Sequence, residues 1–503
     1  MIRKKQNVMN ILMIYPEYPD TFWSFKHAVK FVSKKAAHPP LGLLTVAPLL
    51  PESWTKKLVD LNVEKLKRKD ILWADFIFIS AMSAQYKSTV EVIDLCKSLD
   101  KPIVAGGPIF TEDFEKFDKV DYLVLNEAEI TLPLFLDDLQ NGQPKRIYQT
   151  EEFADITTSP QPDYSLIDIS KYSSKSIQFT RGCPFNCEFC DITALLGHKM
   201  RIKTTQQITT ELQALYDLDA RGDIFFVDDN FIGNKKVLKT DLLPAIIEWM
   251  NAHGNPFSLS TEASVNLADD PELMKLMTQA GFSSVFVGIE TPQESSLEEC
   301  KKTQNRNRSL LDSVKTIQQN GMEVLGGFIV GFDNDTPGIF SQQIEFIQKS
   351  GIVSAMIGLL NAPTKSKLYQ RLQKEGRILN KMTGDNTDAT MNFIPKMNKE
   401  MLANGYRDVI RGIYEGKPFY GRVRKFLNDF QPQVKVRTKI TFNKFMALIK
   451  SMFIIGILDK NRKYYWQLFF WSLFNRPKVF PLAVTYSIYG YHYRRVFKKM
   501  NFF

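Results

Sequence analysis

Short apolar runs alternating with stretches of helical periodicity constrain this chain more than any other feature. Residues 8–15, 75–80, 101–105 and 121–125 read as buried strands, with helical patterns at 88–99 and 130–139. A second series begins at 176–180. It continues through 223–227, 256–260, 284–287, 323–330 and 352–360, again with helical patterns between the strands. A strand that is apolar throughout must be buried on both faces, and intervening helices supply the cover. The first series therefore predicts an open, doubly wound parallel sheet, and the second a βα repeat of about six units. Between them, residues 151–170 are rich in acids, Thr, Ser and Pro and read as a linker. The expected organisation is α/β: a Rossmann-like domain over 1–150, a linker over 151–175, a partial barrel over 176–375 and a mainly helical region over 376–503. A length of 503 residues with 44% hydrophobic content accommodates two to four such units.

Both architectures bind ligands at the carboxyl ends of their strands. Polar and small residues gather there in both series. Ser80, Ala81 and Met82, then Gly106, Gly107 and Pro108, then Glu127, Glu129 and Thr131 follow strands of the first. Asp228, Asp229 and Asn230, then Glu262, Gly288, Glu290, Gly327 and Gly331 do so in the second. For the acids the alternative is an ordinary helix cap or a solvated loop.

Three of the five cysteines, Cys183, Cys187 and Cys190, lie within eight positions in a C-x3-C-x2-C run directly after the 176–180 strand. Thiolates suit iron–sulfur clusters, and three of them leave one iron of a cubane open. A structural zinc site closes four ligands, whereas the nearest further donor, His198, stands eight residues on. A disulfide would leave one cysteine odd. Cys96 lies in a helical pattern and reads as a buried structural thiol. Cys300, followed by Lys301 and Lys302, reads either as a low-pKa thiol beside cations or as a plain surface or helix-start cysteine. So few cysteines make no disulfide scaffold, and a low-potential cluster needs a reducing compartment, so a cytoplasmic protein is expected.

The run Arg181-Gly182-Cys183-Pro184-Phe185-Asn186-Cys187-Glu188-Phe189-Cys190 resembles the signature of the radical S-adenosylmethionine (SAM) superfamily. That resemblance implies a [4Fe–4S] cluster on the three cysteines and SAM on its open iron. It also implies Phe189 beside the adenine, Asp228, Asp229 and Asn230 near the SAM amino group, and Glu262 and Glu290 near ribose or methionine groups. Gly288, Gly327 and Gly331 would let backbone approach the cosubstrate. Ahead of this core, Pro39-Pro40-Leu41-Gly42-Leu43, Ile79-Ser80-Ala81-Met82, Ala105-Gly106-Gly107-Pro108 and Asn126-Glu127-Ala128-Glu129-Ile130-Thr131 resemble the cobalamin domain of cobalamin-dependent radical SAM methylases. Pro40, Leu41, Gly42, Gln85 and the strand-end residues named above would then contact cobalamin. No Asp-x-His-x-x-Gly loop is present, so cobalamin is expected without a protein histidine on cobalt; His27 and His38 read as surface or packing residues.

Tyr15 to Lys26, Val227 to Asn234, Thr261 to Ser264, Gly288 to Pro292 and Gly327 to Phe332 are similar to segments of the hopanoid C-2 methylase type. The type implies methyl transfer to an unactivated carbon of a hydrophobic substrate, through a 5′-deoxyadenosyl radical and methylcobalamin; a hopanoid-like lipid fits the family and the tail, and a tetrapyrrole or an antibiotic precursor fits the core equally well. It also implies an electron donor such as flavodoxin or ferredoxin. A methylthiotransferase acting on tRNA or protein would carry three more cysteines in the first domain, where only Cys96 occurs. A non-catalytic cobalamin or iron–sulfur sensor would not need a complete SAM rim.

The charge is lopsided. Residues 420–503 hold 17 Lys and Arg against Asp429 and Asp459, a net of +15 within a total of +10. The stretches 445–449, 452–458, 464–474 and 479–493 are apolar and aromatic at helical spacing, ending in Arg494-Arg495 and Lys498-Lys499. Such a tail suits either the inner membrane surface or a helical bundle docked on the barrel, and both readings stay open. No nucleic-acid partner is expected. The apolar run at 11–15 is too short for a signal peptide, and no stretch is long enough to span a bilayer.

Overall fold

The computed structural model describes residues 8–385, 387–433, 442–500 and 502; the basic Arg3, Lys4 and Lys5, Asn386, and the start of the 440–503 tail lie outside the described residues. Strands β1 (Asn10–Tyr15), β2 (Thr55–Asp60), β3 (Phe76–Ser80), β4 (Ile103–Gly106), β5 (Tyr122–Val124) and β6 (Ile147–Tyr148) form one parallel sheet in the order β2-β1-β3-β4-β5-β6. Ile11, Leu12, Met13 and Ile14 are wholly buried because helices cover both faces of β1. Periodicity finds β1, β3, β4 and β5 and misses β2 and β6. β2 is an edge strand whose first three residues, Thr55-Lys56-Lys57, are not buried, so it needs no apolar run there. β6 has only two residues.

The second sheet is also parallel and runs sequentially: β7 (Ser174–Ile177), β10 (Gly222–Phe226), β11 (Phe257–Glu262), β12 (Phe282–Glu290), β13 (Glu323–Val330) and β14 (Ala355–Leu359). It is an open half-barrel of six βα units. A small antiparallel pair, β8 (Thr180–Arg181) and β9 (Arg201–Ile202), brackets the cysteine run. β7 stops at Ile177 instead of continuing to residue 180. The carboxylate of Asp228 accepts the backbone N–H groups of Phe179 and Thr180, which turns the chain out of the sheet.

Burial alternates along much of the barrel strands, most regularly in β11. Ile224, Val285, Val287 and Ile357 are wholly buried under helices. Phe225, Phe286, Leu325 and Met356 fall at the intervening positions and are only half-buried, because they face the lumen. Trp23, from the segment after β1, enters this lumen; its ring meets Phe286 edge-on at 5.4 Å and its Nε1 lies 2.8 Å from Met356 Sδ.

The C-terminal helices close the open side. From Lys399–Tyr414, the Tyr406 hydroxyl donates to Ile357 O at 3.0 Å and that of Tyr414 to Ala355 O at 2.6 Å. From Phe480–Lys498, the Tyr493 hydroxyl donates to Ser354 Oγ at 3.0 Å, and its ring stacks on Phe22 at 4.1 Å. The inner faces of the tail are thus a docked bundle. Glu323, at the start of β13, lies beside Tyr486 of that last helix, and burial pushes its carboxyl up to about 7. The folded chain therefore holds this proton to higher pH than the unfolded chain does. Stability should fall as pH rises from about 4.5 to about 7, by on the order of 3 kcal/mol, and Glu323→Gln should flatten that slope in denaturant titrations at pH 5 and pH 8.

Candidate active site

The cysteine run is a loop held by backbone bonds from three directions. Gly182 opens it at φ +95°, where a Cβ would come within 2.9 Å of Gly197 O and Lys199 O. The Cys183 N–H donates to Gly197 O at 3.2 Å, and the Glu188 N–H to Cys300 O at 2.9 Å. The Leu368 N–H donates to Glu188 O at 2.8 Å, while Arg371 grips the Glu188 carboxylate through Nε at 2.9 Å. Cys183 and Cys190 are free thiols whose burial pushes them up, so they lose their protons readily only to a cation that bonds them. The three sulfurs are not among the sets of ligand atoms within 4.8 Å of one another in the described residues. A single zinc with bonds of about 2.3 Å would draw tetrahedral sulfurs to about 3.8 Å. Three soft donors on one loop suit an iron–sulfur cubane with one iron left open.

Around the loop, Gln304, Asn305 and Gln343, which the sequence did not single out, join residues that it did. Lys302 pairs with Glu290 at 2.7 Å, and its Nζ lies 5.9 Å from the centre of the Phe189 ring. Gln304 Nε2 lies 3.8 Å from Cys187 Sγ. Glu290 itself has φ +63°, an uncommon conformation for a residue with a side chain. Asn305 fixes it by donating to Gly288 O and Ile289 O, and Gln343 by donating to Glu290 O. Asp229 and Glu262 lie nearby; burial pushes them up to about 7 and about 8, with neighbouring carboxylates adding to the shift. Such a set can bind the ammonium and hydroxyl groups of a ligand. Gly288 and Gly327 are level neighbours on β12 and β13 and keep that wall low.

Several expected contacts have other tasks. Asp228 is occupied by the backbone turn already described. Asn230 Oδ1 accepts from the Ser264 N–H and hydroxyl, both at 3.3 Å, and joins the β10 and β11 loops. Gly331, at φ +105°, lies under Leu402 of the covering helix, with its N–H donating to Asp335 at 2.8 Å. Cys300 is neither exposed nor acidic; it is buried and its thiol is pushed up. Cys96 is wholly buried, as expected.

The carboxyl ends of β1–β5 abut this loop. Glu112, on the helix Pro108–Asp113, neighbours Asp191, the residue after Cys190. Ser80, Ala81, Gly106, Gly107, Pro40, Leu41 and Gly42 gather at this edge. Gly107 has φ +96°, and a Cβ there would strike Ser80 Oγ at 2.7 Å. A Cβ on Gly42 would stand in open space, with Ser80 Oγ nearest at 4.0 Å. Backbone is thus laid bare to a large flat ligand, with Met82 exposed at its margin. Gln85 instead faces inward, accepting the Met82 N–H and donating to Pro16 O. Thr131 donates to Leu125 O and caps its own turn. Glu127 and Glu129 do not present free carboxylates to this edge. Arg181 bridges both, at 2.8 Å each, and Arg201 adds a second bond to Glu127 at 2.7 Å. These buried pairs lock the first sheet to the cysteine loop. The signal was partly visible, since Arg181 opens the cysteine run, but its partners lie more than 50 residues away.

Comparison with known proteins follows the same division. Residues 31–136 match the B12 binding domain, 177–347 the radical SAM superfamily and 366–501 a domain of unknown function. Uncharacterized methyltransferase sll1242 of Synechocystis sp. is 40% identical over 96% of this chain and 91% of its own. The hopanoid C-2 methylase of Rhodopseudomonas palustris is 37% identical over 80% of this chain and 78% of its own. Among solved structures, the cobalamin-dependent radical SAM enzyme OxsB with aqua-cobalamin shares the fold at TM-score 0.62 and 14% identity, covering 98% of this chain and 80% of that one. TsrM from Kitasatospora setae, with cobalamin and a [4Fe–4S] cluster, does so at TM-score 0.61 and 15% identity, covering 98% and 100%. A B12 domain facing a three-cysteine half-barrel defines a cobalamin-dependent radical SAM enzyme. The chain belongs to the cobalamin-binding radical SAM methyltransferases, of the hopanoid C-2 methylase type. Its cofactors are a [4Fe–4S] cluster, SAM and cobalamin.

Proposed function

We propose that the protein methylates an unactivated carbon of a hydrophobic, hopanoid-like lipid. The observation that carries this is the lumen. Below the carboxylate rim its wall is Phe225, Phe286, Leu325 and Met356, floored by Trp23, with His38 5.5 Å from the Phe225 ring. An apolar wall leading to a polar rim suits a ligand that buries a hydrocarbon body and offers one C–H bond to the chemistry. The 37% identity to a hopanoid C-2 methylase supports the same substrate class.

Together, the bound cofactors supply one-electron reduction, an adenosyl radical able to take hydrogen from carbon, and a methyl donor. Cys183, Cys187 and Cys190 would hold the cluster, and Phe189 would lie against adenine. Asp229, Glu262 and Glu290 would receive the polar groups of SAM, with Gly288 and Gly327 giving backbone access. Pro40, Leu41, Gly42, Ser80, Ala81, Met82, Gly106, Gly107 and Pro108 would seat cobalamin, with no histidine on cobalt. Lys302 keeps Glu290 and the Phe189 ring in place. A flavodoxin or ferredoxin would deliver the electron.

The test is an anaerobic assay of reconstituted enzyme with SAM, cobalamin and reductant, offered a hopanoid or a tetrapyrrole. Formation of 5′-deoxyadenosine and a hopanoid heavier by one CH2 supports the assignment. Methylation of the tetrapyrrole alone rejects it.

We also propose that the tail rests on the inner membrane surface. No helix among the described residues is long and apolar enough to cross a membrane. However, Phe442, Phe445, Ile449 and Phe453 form an exposed stripe along Phe442–Phe453. Ile457 and Leu458 extend it. Beside it, Trp466, Phe470 and Phe474 stack in a ladder along Arg462–Asn475, with Trp466 donating to Gly456 O. Exposed Lys444, Arg462, Lys463 and Lys478 surround these rings, as anionic headgroups would require. Removing the whole tail would unfold the docked helix, so point changes are the better probe. Phe445→Asp with Phe453→Asp and Phe474→Asp should cut co-sedimentation with phosphatidylglycerol vesicles at least about tenfold. Unchanged binding would reject the surface role.

A further inference from the structure

A second cluster of ligand-type side chains lies where the two ends of the chain meet, apart from the cysteine loop. Asp20 and His27 come from the segment after β1, and His492 from the helix Phe480–Lys498. One ligand atom from each lies within 4.8 Å of the others. His492 is wholly buried, and its Nε2 donates to Phe22 O at 2.9 Å. A ring that donates through Nε2 and is neutral carries a bare lone pair on Nδ1. That Nδ1 is buried and has no partner. Asp20 repeats the pattern: Oδ2 is shared by His27, at 2.8 Å, and Lys499, while the buried Oδ1 has no partner.

The three residues stand together, and each of these two buried lone pairs without a donor is unfavourable by about 1–3 kcal/mol. A cation between them would remove both penalties. The donor set, two imidazoles and a carboxylate, suits zinc, and a ligand imidazole whose other N–H is held by a backbone carbonyl is the usual supporting arrangement. We infer that Asp20, His27 and His492 bind one Zn²⁺, with water in the fourth position. The ion ties the segment carrying Phe22 and Trp23 to the last helix and so fixes the floor of the lumen. Lys499, mostly exposed, contends with the metal for Asp20.

The test is metal analysis of the full-length protein, reconstituted with iron and sulfide and desalted from a weak chelator. One zinc per chain is expected beside four irons. His27→Gln and His492→Gln should each lose the zinc and keep the irons. His27 is half-buried and tolerates substitution better, so it serves if the His492 variant does not fold. Zinc should persist when Cys183, Cys187 and Cys190 are all replaced by Ala, which separates this site from zinc captured by vacant thiols. Lys499→Met should tighten zinc about tenfold in competition with a chromophoric chelator. Absence of zinc together with no uptake at micromolar zinc would overturn the inference, as would equal zinc in wild type and both histidine variants.

Discussion

Cys187→Ala protein, reconstituted without oxygen, is expected to hold fewer than four irons and to release no 5′-deoxyadenosine above background. Cys187 is central to the loop: its carbonyl accepts the Cys190 N–H, and its sulfur faces the Gln304 amide. With two thiolates left, no three-point hold on a cubane exists, and the iron that should bind SAM is not presented. SAM cleavage should drop at least about a thousandfold, roughly 4 kcal/mol of barrier. Iron content and nucleoside release measure the two halves of the effect. Full iron with normal cleavage would refute the assignment of this cysteine. Serine at the same position should behave like alanine, since a hydroxyl is a poor ligand for iron–sulfur chemistry.

The second large effect belongs to Arg181→Ala. Arg181 is 12% exposed, and its partners Glu127 and Glu129 are 4% and 7% exposed. Removing the guanidinium leaves Glu129 with only the Ser159 hydroxyl and Glu127 dependent on Arg201 and the Ala154 N–H. Leaving the buried Glu129 carboxylate without its cation is unfavourable by about 3–5 kcal/mol. The same guanidinium seats the first sheet on the cysteine loop. We therefore expect two readouts to move together: a lower unfolding midpoint, and cobalamin retention weakened by about ten- to a hundredfold on gel filtration. Arg181→Lys keeps one charge but cannot fork to both carboxylates, so it should fall between wild type and alanine. A midpoint unchanged in Arg181→Ala would show that the pairs do not lock the two sheets.

Much of this architecture is legible in the chain because its strands are buried on both faces, where apolar runs are obligatory. The strands that escape notice are those freed from that rule: β2 at a sheet edge and β6 with two residues. The cysteine loop is equally plain, since its ligands are adjacent in sequence. The acids are harder. Asp228, Asp229 and Asn230 are neighbours with three different tasks, because a residue just past a strand can turn toward the backbone, the lumen or the next loop. Spacing does not choose among these. Glu127 and Glu129 are expected at a ligand from their place past β5, yet their partners are Arg181 and Arg201, which only tertiary folding brings near. The pairing of Lys302 escapes for the same reason: its partner Glu290 adopts a left-handed backbone that no periodicity announces. In the tail, inward rings dock on the barrel and outward rings are exposed, a division by face that composition does not reveal.

The stacking of Tyr493 on Phe22 links a residue made early in translation to one made nearly five hundred peptide bonds later. The first sheet can assemble as it emerges from the ribosome, but Phe22 has no fixed seat until the helix carrying Tyr493 arrives. A nascent chain paused before that helix should be open at the bottom and vulnerable to proteases near residues 20–30. Arrival of that helix, more than any early collapse, is the event that shuts the vessel in which the radical would be confined.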